Sequence, residues 1–240
     1  MKVVATSLLF AALTMTEAHA AQLVPYVGCP GTTQEHDDEF PASGPPVSVP
    51  LSKKIADRVA VYASLEGSVL APRGWQCSSM RGTGTGTLFI VPPVGSAAAL
   101  KGASVLLSYS PGDSYPANLT IAGYVGRYFP KLSPGIIDAE SRERGITKED
   151  VLGPRYPKDV LHYKSDRLLE FLTPPQQRGL GTSLRDEYGP SPLPTYGVLA
   201  IDMPAAELNA AAILAARLPP ELTFLRRPML DYFERTFPRK

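Results

Sequence analysis

Proline and glycine punctuate this chain along its whole length, with 25 prolines and 20 glycines in 240 residues. Both residues interrupt regular elements, because proline lacks a backbone N–H and glycine loses more conformational freedom on folding than other residues. This density predicts many short elements joined by turns rather than a few long helices. We therefore expect an α+β fold, a strand-rich single domain that ends in an amphipathic helix.

Residues 1–20 are typical of a secretory signal peptide. Lys2 supplies a basic start, residues 3–16 are mostly apolar, and Ala18-His19-Ala20 fits a small-x-small cleavage site. The apolar run is shorter than the roughly 20 residues that cross a bilayer. We expect a mature protein that is secreted or periplasmic and has no membrane span.

The chain has two cysteines, Cys29 and Cys77. In an oxidising compartment a pair of cysteines is most simply explained as one disulfide, which we predict here. One alternative is two buried free thiols, and another is a lipoprotein in which Cys29 receives the lipid. The residues before it, Tyr26-Val27-Gly28, and the polar residues after the apolar run are a poor context for that processing.

Residues 21–50 are rich in proline, glycine, serine and acidic side chains, and they predict an extended arm that the disulfide tethers to the body. Residues 51–240 are expected to form a single globular α+β domain. Apolar, β-branched segments bounded by turn residues predict strands at 58–65, 67–71, 87–92, 103–109, 119–129 and 197–203. A short helix is expected at 138–144, and residues 205–218 fit either a helix or a strand.

The last element is predicted to be a helix that begins after Pro219-Pro220, since proline is tolerated in a first helical turn. Apolar residues then recur at spacings of three and four, which places them on one face of a helix that packs on the sheet. These residues are Leu222, Leu225, Met229, Tyr232, Phe233 and Phe237.

Charge excludes one class of partner. The chain has 24 basic and 23 acidic residues, a net charge of +1. Proteins that bind the phosphate backbone usually carry a clear basic excess, so we expect no nucleic-acid partner.

Two motifs suggest ligand binding but have simpler interpretations. The run from Gly82 to Thr87 alternates glycine and threonine, yet it lacks the Gly-Lys-Ser/Thr of a phosphate loop and is expected to be a turn that leads into a strand. His36-Asp37-Asp38-Glu39 offers four potential ligands side by side, but adjacent residues of an extended segment point in alternating directions. We interpret it as a solvated acidic loop and predict no metal or cofactor site.

Hydrolytic catalysis has few candidate residues. After signal removal the histidines are His36 and His162, no Gly-x-Ser-x-Gly is present, and we predict that neither histidine is catalytic. Many carboxylates could form an acid pair of the glycosidase type. Glu66 and Asp202 are the first to inspect, although a turn cap and a strand-end acceptor are the simpler explanations. We predict no catalytic residue.

Five short segments share turn residues and follow one another in a fixed order: Leu70-Ala-Pro-Arg-Gly-Trp-Gln-Cys77, Leu88 to Val91 with Pro92, Thr173-Pro-Pro with Gly179-Leu-Gly-Thr182, Tyr196-Gly-Val198, and Arg217-Leu-Pro-Pro-Glu-Leu222. Together they resemble an uncharacterised family of secreted bacterial proteins. The resemblance implies bacterial secretion and a single domain, and it brings no activity to any residue.

These features predict a non-enzymatic binding or interaction protein of the bacterial envelope or extracellular space. Its partner would be an envelope or extracellular protein that the sequence does not identify, and the oligomeric state stays open. The alternative is a hydrolase of envelope polymers or esters whose site is assembled from distant residues. Two acids or a Ser/His pair lining one cleft would favour hydrolysis, and an apolar patch would favour binding.

Overall fold

The computed structural model describes residues 20–33, 42–82, 84–93, 101–182, 188–203 and 209–237. The predicted signal peptide, except Ala20, and the acidic segment His36 to Glu39 lie outside these residues. Twelve strands in two sheets and five α-helices are present in the described part of the chain. The predicted strand-rich α+β domain with a C-terminal helix is confirmed.

The smaller sheet has four strands in the order β3-β1-β4-β5, and the larger has eight in the order β2-β6-β7-β8-β12-β11-β10-β9. The strands are β1 Ala21–Gly28, β2 Gly31–Thr33, β3 Gly44–Pro50, β4 Val59–Ser64, β5 Gly67–Pro72, β6 Gln76–Arg81, β7 Gly86–Val91, β8 Ser104–Pro111, β9 Val160–Tyr163, β10 Leu168–Thr173, β11 Thr195–Asp202 and β12 Ala210–Arg217. The helices are α1 Lys53–Ala56, α2 Tyr115–Tyr128, α3 Ile136–Arg144, α4 Lys148–Leu152 and α5 Arg226–Thr236.

The large sheet is covered on both faces. One face packs against the small sheet and α5, and the other packs against α2, α3 and α4. Every residue of the central strand β12 is buried. Its side chains alternate between the two cores, with Leu214 on one side and Ile213 on the other. This period of two identifies residues 210–217 of the ambiguous segment as a strand, whose small alanines allow close packing on both faces, while residues 205–208 lie outside the described residues.

The N-terminal segment is extended, and it contributes strands to the body. β1 lies between β3 and β4, and its Val24 is fully buried. The predicted disulfide is confirmed: Cys29 and Cys77 are bonded, with their Cα atoms 5.3 Å apart. It connects the end of β1 in the small sheet to β6 in the large sheet.

The strand predicted at 119–129 is wrong, because residues 119–128 belong to helix α2. Ile121, Val125 and Tyr128 are buried at helical spacing, although β-branched and aromatic residues favour strands in isolation. Two glycines explain why packing against neighbouring helices favours a helix here. A Cβ atom on Gly123 would lie 2.6 Å from the Val151 carbonyl oxygen, and one on Gly126 would overlap the side chain of Ile137. The glycines therefore let α3 and α4 pack closely on α2.

The predicted C-terminal helix is present, and it begins later than expected. A 3-10 segment covers Pro220–Leu225 before α5 starts at Arg226. Met229, Phe233 and Phe237 are buried between the sheets as predicted, and the rings of Phe233 and Phe237 stack with centroids 5.7 Å apart. The helix thus completes the core between the two sheets.

Candidate functional site

One of the two edge strands of the large sheet, β9, is exposed along its whole length. It pairs with β10 on one side, and no strand among the described residues pairs with its other side. Val160 is 61% exposed and Tyr163 is 51% exposed. Large apolar side chains on a free sheet edge are typical of surfaces that pair with another chain.

The pairing with β10 determines which backbone groups of β9 point outward. The Lys164 N–H donates to the Leu168 carbonyl at 2.9 Å, and the register continues with His162 opposite Glu170. Hydrogen-bonded pairs alternate along an antiparallel ladder, so His162 faces β10 with its backbone N–H and C=O. The backbone N–H and C=O of Leu161 and Tyr163 therefore point away from β10 toward the open edge.

The side chains of Leu161 and Tyr163 lie on the helix-covered face of the sheet, because their partners Phe171 and Leu169 belong to the core beneath the helices. The ring of Tyr163 meets that of Phe129 edge to face, with centroids 5.9 Å apart. Phe129 ends α2 in a non-helical conformation, and a proline follows it. The edge of the sheet and the end of α2 are thereby brought together.

A cavity of about 350 Å³ lies beside this aromatic pair. Its lining is mainly apolar, with three aromatic rings and a leucine, and it is continuous with the edge of β9 through Tyr163. Burial raises the pKa of Tyr128, so this hydroxyl is neutral at physiological pH. The lining residues are Tyr128, Phe129, Pro130, Lys131, Leu132, Tyr163, Ser165 and Asp166.

Basic side chains lie around β9. Lys131, Lys158 and Arg167 are exposed, and Lys158 donates to the Gln177 side-chain carbonyl at 2.9 Å. Asp166 is an exposed acid at the cavity, whereas the Asp159 carboxylate is occupied by the Thr173 hydroxyl and the Leu180 N–H. The edge is therefore flanked mainly by cationic groups.

An ionic cluster supports the other face of β9. The Glu170 carboxylate accepts from Arg227 of α5 at 2.6 Å and from Lys164 at 3.1 Å. Partial burial alone would raise the pKa of Glu170, but these hydrogen bonds lower it to about 2. Glu234 shares both cations, and burial together with the neighbouring Glu170 raises its pKa. The cluster fixes α5 to the strand pair and holds the β9–β10 turn.

The structure separates the two acids that the sequence singled out. Glu66 is buried at the β4–β5 turn and lines a second cavity, together with Asp113. Asp202 ends β11, accepts from the Asn209 amide at 2.6 Å and does not line that cavity. The described residues of the run from Gly82 to Thr87 connect β6 to β7, as the turn interpretation expected, and the Gly82 N–H donates to the Thr85 carbonyl.

His162 lies on β9, exposed and opposite Glu170. The strand at residues 160–163 was not predicted from the sequence. The signal available was the short β-favouring run Val160 to Tyr163 between charged flanks. That neither histidine is catalytic stays a prediction.

A fully buried arginine, Arg217, has a structural role. Its guanidinium donates to the Thr195 hydroxyl and to the carbonyl oxygens of Tyr188 and Gly189, and it stacks 3.6 Å from the centroid of the Tyr188 ring. These hydrogen bonds and the stacked ring stabilise the buried cation. The residue fixes the segment before β11.

Comparison of the chain with protein-family models, curated proteins and solved structures finds no match in any of the three. Within the residues that the structure describes, no helix has the length and apolar character needed to cross a membrane.

Proposed function

We propose that this protein is a secreted, non-enzymatic binding protein that holds an extended segment of an envelope or extracellular protein against β9. The observation that supports the proposal is a strand edge with outward backbone groups at Leu161 and Tyr163, exposed apolar side chains and an adjoining apolar cavity. Addition of a strand to a free edge is a common way to bind extended peptides. The disulfide and the signal-like residues 1–20 support secretion.

The binding mode follows from the geometry of the edge. Backbone groups of the partner would pair with the N–H and C=O of Leu161 and Tyr163, which are the groups that do not serve β10. Alternate side chains of an added strand point to the same face, so one apolar side chain of the partner would enter the cavity beside Phe129. Backbone pairing would supply affinity, and the cavity would select the side chain.

Charge defines the partner further. Lys131, Lys158 and Arg167 surround the edge, so acidic residues flanking an apolar centre would be attracted to it. These contacts are exposed and would be weakened by salt. We therefore propose an extended, acidic segment with one large apolar residue.

A photo-crosslinking amino acid at Val160 tests the site in cells that secrete the protein. Mass spectrometry of the crosslinked products should identify one extended segment of an envelope or extracellular protein. The control places the same amino acid at Lys54, an exposed position on α1. The same products from both positions, or crosslinks to a second copy of this chain, would overturn the proposal.

A synthetic peptide of the captured segment then separates backbone pairing from side-chain contact. Leu161→Pro removes an outward N–H without removing a bond to β10, and it should weaken peptide binding at least about tenfold. Leu161→Ala is the matched control, since it keeps the N–H, and Leu161→Pro should bind clearly more weakly than this control. Equal affinity of the two variants, measured by calorimetry on proteins with native circular dichroism, would contradict strand addition.

A further inference from the structure

A second cavity, of about 270 Å³, lies where the β4–β5 turn, the β6–β7 hairpin and the start of α2 meet. Its polar lining includes Glu66, Arg81, Asp113 and Ser114. Backbone of the glycine-rich hairpin forms one wall. The cavity therefore combines acidic side chains with a loop that lacks bulky side chains.

Glu66 is the unusual residue of this cavity. It is 5% exposed, and its Oε2 atom accepts from the Ser79 hydroxyl at 3.0 Å. Its Oε1 atom is buried without a hydrogen-bond partner, and so is the hydroxyl oxygen of Ser114. Leaving a carboxylate oxygen buried and unpaired is costly, so these two atoms point to a missing donor.

Two glycines explain how closely the hairpin packs around this cavity. A Cβ atom on Gly86 would overlap the Glu66 side chain, and a Cβ atom on Gly84 would lie 2.9 Å from Pro116 Cβ and 3.1 Å from Ser114 Oγ. The small residues at 84 and 86 thus let the hairpin approach both the acid and the helix start. This accounts for two of the three glycines of the motif without any phosphate.

The lining determines the kind of ligand. The side chains of Glu66 and Asp113 are acidic and would repel an anion, although the glycine run resembles a phosphate loop. No group of three or more His, Cys, Asp or Glu side chains suited to a metal ion occurs in the described part of the chain. An ammonium group carries hydrogen-bond donors and a positive charge, which suit the unpaired oxygen of Glu66 in a lining that also contains Ser114 and Asp113.

We propose that this cavity binds the primary ammonium group of a small organic amine. The ammonium would donate to Glu66 Oε1, while the rest of the ligand would occupy the cavity beside the hairpin. Exposed Arg81 lies at the same cavity and would favour a ligand that also carries a carboxylate. A plain diamine and an amino acid are thus two sources of the same ammonium chemistry.

Isothermal titration of the mature protein with 1,5-diaminopentane and, separately, with lysine tests the site. Binding of either amine supports the proposal. Tighter binding of lysine than of the diamine would indicate that Arg81 binds the carboxylate of the ligand. Glu66→Gln removes the charge with little change of shape and should weaken binding at least about tenfold. Glu143→Gln, at an exposed position on α3, is the matched control and should bind like the unchanged protein.

Three results would overturn the proposal. These are no heat from either amine, equal binding by Glu66→Gln and the unchanged protein, and saturable binding of calcium chloride that excludes the amines. A folding defect is recognised independently. Because the replaced oxygen is unpaired, Glu66→Gln should keep a melting temperature close to that of the unchanged protein. If Glu66→Gln melts at a lower temperature, a Glu66→Ala variant with a native melting temperature gives the same binding test.

Discussion

The edge strand β3 of the small sheet and the edge strand β9 of the large sheet differ in opposite ways in how they meet solvent. β3, at the edge of the small sheet, contains Pro45, Pro46 and Pro50, which have no N–H to offer a neighbouring strand. β9, at the edge of the large sheet, has no proline and exposes three apolar side chains. Proteins commonly protect sheet edges against pairing with other chains. The difference indicates that one edge is protected and the other is available to a partner.

The strand β5, at the other edge of the small sheet, is protected in a different way. Helix α5 packs against it, and the hydroxyls of Ser68 and Tyr232 lie 3.0 Å apart. The small sheet is therefore bounded by prolines on one side and accompanied by a helix on the other. Such protection does not depend on a partner, so we expect the small sheet to tolerate changes at β9.

The largest effect is expected from Phe233→Ala, which removes a buried ring between α5 and the sheets. The lost burial and the resulting cavity should lower the free energy of unfolding by ~3 to 5 kcal/mol. Chemical denaturation measures this. A loss below ~1 kcal/mol would show that the helix does not hold the small sheet, and the contrast with β9 would weaken.

The next effect concerns the disulfide, which connects the end of β1, next to the proline-containing β3, to β6 of the large sheet. Cys77→Ser should lower the free energy of unfolding by ~2 to 5 kcal/mol, because the bond closes a loop with a sequence separation of 48. Hydrogen exchange should quicken in β1 and β3 more than in β9. Uniform acceleration across both sheets would show that the two edges are not independent.

Acid should affect the β9 side through Glu170. The pKa of this group is about 2 in the folded protein, below the ~4.3 of an unfolded glutamate. Its stabilising contribution is therefore present above pH ~4.3 and is lost as the pH falls toward 2. Glu234, whose pKa is raised, acts in the opposite sense: it lowers stability at neutral pH, and this cost is removed as the pH falls toward ~4.3, before the loss at Glu170 begins.

Denaturation of the unchanged protein and of Glu170→Gln between pH 2 and pH 7 tests this effect. Glu170→Gln should flatten the decline in stability below pH ~4.3, and the exposed Glu221→Gln is the control that should not. A decline that is the same in all three proteins would assign the acid sensitivity to another group.

Local patterns predicted much of the fold. Apolar, β-branched segments bounded by turn residues identified β4, β5 and β11, and the presence of two cysteines made the disulfide the simplest outcome. Helix α2 was misassigned because its β-favouring residues bury a helical face only when Gly123 and Gly126 admit the neighbouring helices. The contact between these glycines and the neighbouring helices joins distant segments, so a short stretch of sequence gives no signal of it.

The candidate sites were harder to predict. Which strand ends a sheet depends on pairing between distant segments, so the open edge of β9 could not be inferred from Val160 to Tyr163 alone. Glu66 was selected as an acid before a glycine, but its burial depends on Ser79 and Gly86 of another hairpin. Sequence named the residue, and only the fold revealed the cavity around it.

Amide hydrogen exchange at Leu161, His162 and Tyr163 tests the open edge most directly. In the free protein the amides of Leu161 and Tyr163 should exchange fast, because they point outward, while that of His162 should be slower, because it bonds to β10. Addition of the crosslinked partner peptide should slow Leu161 and Tyr163. Protection of both amides in the free protein would show that the edge is already covered and would contradict the account.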